Sequence, residues 1–306
     1  MKKVILLAGP TASGKSDIAI RIAKKINGEI INADSMQVYK EIKILSARPQ
    51  DYKKIKHHLF GFVSVKKTFS TGQWLKEVNK KVNGILKKNK TPIIVGGTGL
   101  YFKSLIDGIS KVPKISKVKR NQVVKLYEKI GPEKFYKKLI KLDNLSKNKI
   151  NYNDKQRMIR FYEVKYFTGK SIFEWQKSKK AKANFSEVKF VKVFLNMPRE
   201  WLLENIEKRL KKMFRAGVMK EVIQFKKLKV KKDLSSNHVL GLKELVLLSD
   251  QKIAQKEALE RTIIRTRQYI KRQMTWFRGQ MKDWEAIKET NRLNLEKKIL
   301  KFIRTS

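Results

Sequence analysis

The sequence predicts an α/β protein in which a parallel sheet is covered by helices and carries an inserted helical domain. Two observations predict it. Short apolar runs rich in β-branched residues alternate with amphipathic, helix-spaced segments, the pattern of a parallel sheet. A Lys-rich, strand-poor stretch then separates the early strands from a later one.

Each element has its own reason. Lys3 to Ala8 (KVILLA) is a continuous apolar run, as a strand buried on both faces requires. Ser16 to Ile26 places Ile18, Ala19, Ile22, Ala23 and Ile26 on one helical face. Glu29 to Ala33 (EIINA) reads as a second strand, ending at Asp34. A helix over residues 73–87 precedes a third strand, Thr91 to Val95, which ends in Gly96-Gly97-Thr98-Gly99. Residues 111–187 read as mostly helical, and Phe190 to Asn196 (FVKVFLN) as a returning strand. The expected division is a core of residues 1–109 and 190–306 with C-terminal helices, and an inserted domain of residues 110–189. Alternating charges over 279–306 predict an exposed helix. In the helix around 259–278, the expected buried stripe is Leu259, Ile263, Ile270, Met274 and Phe277.

Composition bounds the function. The chain of 306 residues carries a net charge of +46, which favours a polyanionic partner. The excess marks no single patch: residues 1–110, 111–192 and 193–306 carry net +14, +17 and +15. Cysteine is absent, which excludes disulfides, cysteine zinc sites and thiol catalysis. Three histidines do not make a histidine metal site, so His57 and His58 read as structural. Trp175, Trp201 and Trp284 read as core or interface. No uncharged apolar run reaches the roughly 20 residues of a membrane helix. The expectation is a cytoplasmic protein that meets no membrane.

The chemistry begins at Gly9-Pro10-Thr11-Ala12-Ser13-Gly14-Lys15-Ser16, which matches the P-loop pattern at every required position. A strand precedes it and a helix follows, the context that pattern needs. The glycines let several N–H groups face one anion, and the helix N-terminus adds its dipole. Lys15 supplies a point charge, and the Ser16 hydroxyl is the candidate Mg2+ ligand. Nucleoside triphosphatases of this type usually end a second apolar strand in Asp, but here Ile93-Ile94-Val95 ends in Gly96-Gly97. Asp34 is the nearby strand-end carboxylate: a metal ligand, a general base, or a cap for the turn at Ser35.

Asp34-Ser35-Met36-Gln37-Val38-Tyr39, following GPTASGKS, resembles the tRNA dimethylallyltransferases. Ala47-Arg48-Pro49, His57-His58-Leu59 and Val95-Gly96-Gly97-Thr98-Gly99-Leu100-Tyr101 are similar to that family's next signatures. So are Asn153 to Arg160, Glu163-Val164, Thr168-Gly169-Lys170, Arg209, Met213, Gly217, Glu221-Val222 and Thr266 to Arg278. The departures are Ser46, Arg48, Asn205 and Leu240-Gly241-Leu242-Lys243-Glu244, the last lacking the usual Tyr hydroxyl.

The resemblance implies transfer of a dimethylallyl group from dimethylallyl diphosphate to N6 of adenosine at position 37 of tRNA, with release of pyrophosphate. It implies Asp34 as general base, with Lys15 and Thr98 also catalytic, Gln37 and Thr98 holding the base, and Mg2+ on Ser16. Gly9 to Ser16 would bind the diphosphate. The implied contacts to the tRNA anticodon stem-loop are Asp34, Ser35, Met36, Gln37, Thr98, Arg120, Gln156, Arg157, Met158, Ile159, Arg160, Arg209, Arg267 and Arg272. A monomer is expected. On the residues alone, three other readings stay open: a P-loop kinase, an RNA-binding ATPase module, and a prenyltransferase acting on free adenylate.

Overall fold

In the computed structural model, which describes residues 1–49, 55–178, 180–181, 185 and 188–306, the apolar runs become strands of one sheet. The elements run β1 (Lys2–Ala8), α1 (Lys15–Lys25), β2 (Gly28–Asn32), β3 (His57–His58), α2 (Thr71–Leu86), β4 (Thr91–Gly96) and α3 (Gly99–Asp107). Then come β5 (Ile109–Ser110), α4 (Lys117–Leu142), α5 (Lys155–Thr168), α6 (Ile172–Lys177) and β6 (Lys180–Ala181). The chain returns through β7 (Val188–Leu195), α7 (Arg199–Arg215), α8 (Val218–Lys227), α9 (Leu242–Ser249), α10 (Gln255–Gln280), β8 (Glu285–Ile287) and α11 (Arg292–Thr305). Two compact units result, Met1–Ser104 with Ala183–Ser306 and, separately, Leu105–Lys182. The helix expected over 111–187 lies outside the described residues at 179, 182–184, 186 and 187.

The sheet order is β3-β2-β4-β1-β7-β8, and every pairing is parallel. Val4 to Ala8 of β1 are fully buried between β4 and β7, which explains the unbroken apolar run. Register sets the site. Ala8 lies beside both Gly96 and Phe194, and Asn32 beside Val95, so four strands end on one edge. The loops leaving that edge touch. Gly9 N donates to Gly96 O at 3.3 Å, and Thr98 N to Ala33 O at 3.1 Å. A Cβ on Gly96 would sit 2.0 Å from Ala33 O, so no side chain fits there.

Two expectations about the larger unit are corrected. Residues 279–306 are not simply an exposed helix. β8 extends the sheet beside β7, and α11 buries Leu295, Ile299 and Ile303 in the core. A three-residue strand shows no periodicity, and the apolar spacing of α11 is diluted by its lysines. The buried stripe of α10 is also rotated. It contains Ala258, Thr262, Thr266, Ile270, Gln273 and Phe277, while Leu259, Ile263 and Met274 are only partly buried. Polar groups tolerate this because each is satisfied: the Thr262 and Thr266 hydroxyls donate to Ala258 O and Thr262 O, both at 2.7 Å.

The smaller unit packs α4 against α5 around Val123, Phe135, Leu139, Met158, Ile159 and Tyr162. α4 kinks at Gly131-Pro132. The antiparallel pair β5–β6 went unseen in the sequence, since two-residue strands leave no pattern.

Candidate active site

The loop between β1 and α1 is held in an uncommon shape. Gly14 has φ 74°, and Ala12 keeps φ 64° despite its Cβ. Such a non-glycine conformation costs on the order of 1–3 kcal/mol and clusters at functional sites. The Ser13 hydroxyl is buried without a partner, a donor left over inside the loop.

This loop floors a cavity of about 660 Å³. Eight basic side chains line it, against two acidic ones, Asp17 and Asp34. Lys15 Nζ donates to Pro10 O at 3.0 Å. Burial pulls its ammonium down to about 8, the Asp34 charge opposing this and Arg209 adding to it. Arg209 Nη1 donates to Thr11 Oγ1 at 2.7 Å. Burial lowers its affinity for the proton too, and Asp34 again opposes. Tyr101 and Tyr269 are pushed up, first by burial and then by Asp34. The Asp34 field thus reaches Lys15, Arg209 and both phenols.

Asp34 is precisely held by local bonds rather than by a cation. Its Oδ1 accepts from Met36 N at 2.9 Å, so the capping role read from the sequence is real. Its own N–H donates to Asn32 Oδ1 at 2.8 Å, and Asn32 Nδ2 donates to Asp34 O and Leu59 O. Thr98 Oγ1 accepts from Ser35 N at 2.9 Å, tying the β4 loop to the β2 loop. Gln37 Nε2 donates to Ser46 O and Ala47 O, at 3.0 and 3.1 Å.

The structure brings Thr11 to Ser16 of the loop, Asp34, Gln37 and Arg209 to one cavity and sets Ser35, Met36 and Thr98 on the adjoining loops. Arg209, counted with the RNA contacts in the sequence, also sits against the loop, where α7 lines the same cavity. Met158 and Ile159 are 0 % and 3 % exposed, so their side chains lie in the smaller unit's core rather than on its surface. Gln156 and Arg157 are exposed beside them. On α10, Arg267 approaches Glu207 at 4.0 Å and Arg272 lies over the Tyr269 ring. Asn205 lines the cavity, and Leu242 is buried in the core.

Two contributors escaped the sequence reading. Gln273 Oε1 accepts from Thr11 N at 2.9 Å while its Nε2 donates to Gly97 O at 2.9 Å, bracing the loop against the end of β4. Glu221 accepts from the N–H groups of Lys43, Ile44 and Leu45 at 2.7, 2.7 and 2.9 Å, fixing a wall of the cavity. Both stood inside recognised signatures. Their role rests on contacts far along the chain, which spacing does not reveal.

Fold and site together define a P-loop α/β protein with a cationic cavity, a strained loop and, in the same cavity, a carboxylate held by a backbone N–H. The chain belongs to the IPP transferase family, whose model matches residues 37–280. It is 52% identical to a tRNA dimethylallyltransferase of Pelagibacter ubique over 284 residues, 92% of this chain and 90% of that one. The tRNA isopentenylpyrophosphate transferase of Staphylococcus epidermidis matches with TM-score 0.69 and 30% identity, over 100% of this chain and 99% of that one. A eukaryotic dimethylallyltransferase captured acting on tRNA matches with TM-score 0.77 and 29% identity, over 95% of this chain and 75% of that one. No helix among the described residues is long and apolar enough to cross a membrane.

Proposed function

We propose that this chain transfers the dimethylallyl group of dimethylallyl diphosphate to N6 of the adenosine at position 37, beside the tRNA anticodon, and releases pyrophosphate. The observation that carries this reading is one cavity holding two buried cations at a strained loop, with an unpaired carboxylate in reach of their field.

In the reaction the N6–carbon bond forms as the allylic carbon–oxygen bond breaks. The electron pair leaves with pyrophosphate, and the N6 proton goes to Asp34. The N6 lone pair is delocalised into the ring, so a base near it is needed. Lys15, Arg209 and the loop N–H groups stabilise charge as it develops on the leaving group. Thr98 and Gln37 hold the adenine, which is extruded from its stack to reach the pocket.

The donor set suits Mg2+ carried in with a diphosphate. Ser16 offers one hydroxyl, and among the described residues no group of three His, Cys, Asp or Glu could cage an ion. Mg2+ keeps its waters and binds through phosphate oxygens, so one protein ligand suffices. When bound it neutralises leaving-group charge. Arg120, Gln156, Arg157, Arg160, Arg267 and Arg272 serve the anticodon stem-loop, and the enzyme acts as a monomer.

The test is prenyl transfer to unmodified tRNA with dimethylallyl diphosphate and Mg2+, read by nucleoside mass. Prenylated adenosine in wild type and none in Asp34→Ala supports the reading. Phosphoryl transfer or hydrolysis of ATP without prenylation returns the protein to the kinase or ATPase class.

A further inference from the structure

We infer that Glu163 presets Arg120 and Arg160 as a two-arginine clamp for a phosphate of the RNA backbone. This rests on the tRNA reading above and adds to it a positioning residue and a ligand group.

Glu163 is 1 % exposed, in the smaller unit. Its Oε1 accepts from Arg120 Nη1 at 3.0 Å and from Arg160 Nη1 at 2.8 Å, and its Oε2 accepts from Arg120 Nη1 at 3.2 Å. The arginine side chains are 46% and 39% exposed. A buried carboxylate needs a partner, but one arginine already balances it. The second leaves a net positive charge at the surface. Among the described residues no other carboxylate pairs with either arginine. A cluster serving only the fold has no use for that surplus.

Each guanidinium has five N–H donors, and each spends only its Nη1 on Glu163. The rest of each planar fork stays available for a phosphate, which it matches bidentately. The arginines come from different helices, α4 and α5, so the shared carboxylate sets their spacing. Holding them in place before binding removes an ordering cost that two free arginines would bear.

The start of α4 points the same way. Its first turn contains no acidic residue and carries Lys117 and Lys119. Cations there oppose the helix dipole, which favours an anion. The start of α5 is already served, since Asp154 accepts from Arg157 N at 3.0 Å and Lys155 pairs with Glu128 at 3.3 Å. At an exposed site a small anion competes with salt, whereas an RNA strand also gains from counterion release.

The test measures binding of an anticodon stem-loop RNA across a salt series, without turnover. Arg120→Gln and Arg160→Gln should each weaken binding about tenfold and reduce the salt slope by about one. Glu163→Gln should weaken it about tenfold as well, and should add nothing once both arginines are glutamine. Affinity for dimethylallyl diphosphate should match wild type. Wild-type binding by both arginine variants overturns the clamp. So does a Glu163→Gln defect that persists without the arginines, which marks a structural role. A weakened diphosphate affinity assigns the cluster to the small substrate and overturns it as an RNA site. If Glu163→Gln fails to fold, the half-exposed arginines decide alone. A wild type that binds the stem-loop with the arginine dependence above but does not prenylate it sinks the transfer reaction and leaves the clamp standing.

Discussion

The Lys15–Arg209–Asp34 group in the cavity of the larger unit and the Glu163 cluster of the smaller unit use the same ingredients, two cations and one carboxylate, in opposite ways. In the cavity the cations are desolvated, and Asp34 acts on them through its field while its oxygen engages the Met36 N–H. In the smaller unit the carboxylate is buried and bonded directly to half-exposed arginines. Direct pairing fixes geometry but occupies the carboxylate. Separation leaves Asp34 with no bonded cation among the described residues, the condition the proposed base role needs.

The largest expected effect tests that freedom. Asp34→Asn keeps the turn but removes the proposed base, and should lower turnover by about 10²–10⁴-fold with RNA affinity intact. Equal loss of RNA binding would erase the contrast. Next, Lys15→Ala should weaken dimethylallyl diphosphate binding by about 10–100-fold in a direct titration. The wild type adds a pH signature. Free Lys15 loses its proton near 8, well below an ordinary lysine. Binding a diphosphate above that pH therefore requires proton uptake. Affinity should be flat below pH 8 and fall by up to about tenfold per unit above it. Lys15→Ala should abolish that slope.

Gln273→Leu comes third. It strands the Thr11 N–H and the Gly97 carbonyl, costing about 1–3 kcal/mol in a denaturant titration and raising KM for the diphosphate. An unchanged KM would show that the loop holds its shape without the brace. The smallest effect comes from Glu29, a paired carboxylate away from any site. Burial pushes its carboxyl up, but hydrogen bonds from His58 and Lys90 outweigh this and hold it below its ordinary value. Burial lowers His58, with Glu29 opposing. Both shifts put stability on the alkaline side. The His58 part is full above about pH 6.5 and fades below it, and the Glu29 part fades below about 4.5. Glu29→Gln should flatten the acid limb of a melting-temperature profile and leave both substrates' binding alone.

The legible parts of the molecule were those fixed by short-range pattern. β1 and β4 announced themselves because burial on both faces forces continuous apolar runs, and β2 and β7 through shorter apolar stretches. The loop was legible because phosphate chemistry demands glycine, lysine and a hydroxyl at set positions. What stayed hidden was set by distant contacts. β3 and β8 exist by pairing with established strands and are too short to show a period. Thr262, Thr266 and Gln273 were left out of the expected buried stripe because their partners were not visible. The Arg209 bond to Thr11 stayed hidden because a sequence does not say which loop a helix overlies.

The Gln273 brace has a consequence for biosynthesis. Its partner Thr11 is made 262 residues earlier. A nascent chain therefore exposes a complete phosphate-loop sequence long before the amide that fixes its shape has left the ribosome. Arg209, which bonds the same threonine, also arrives late, 198 residues behind it. Products of stalled or broken synthesis thus carry the loop without its supports.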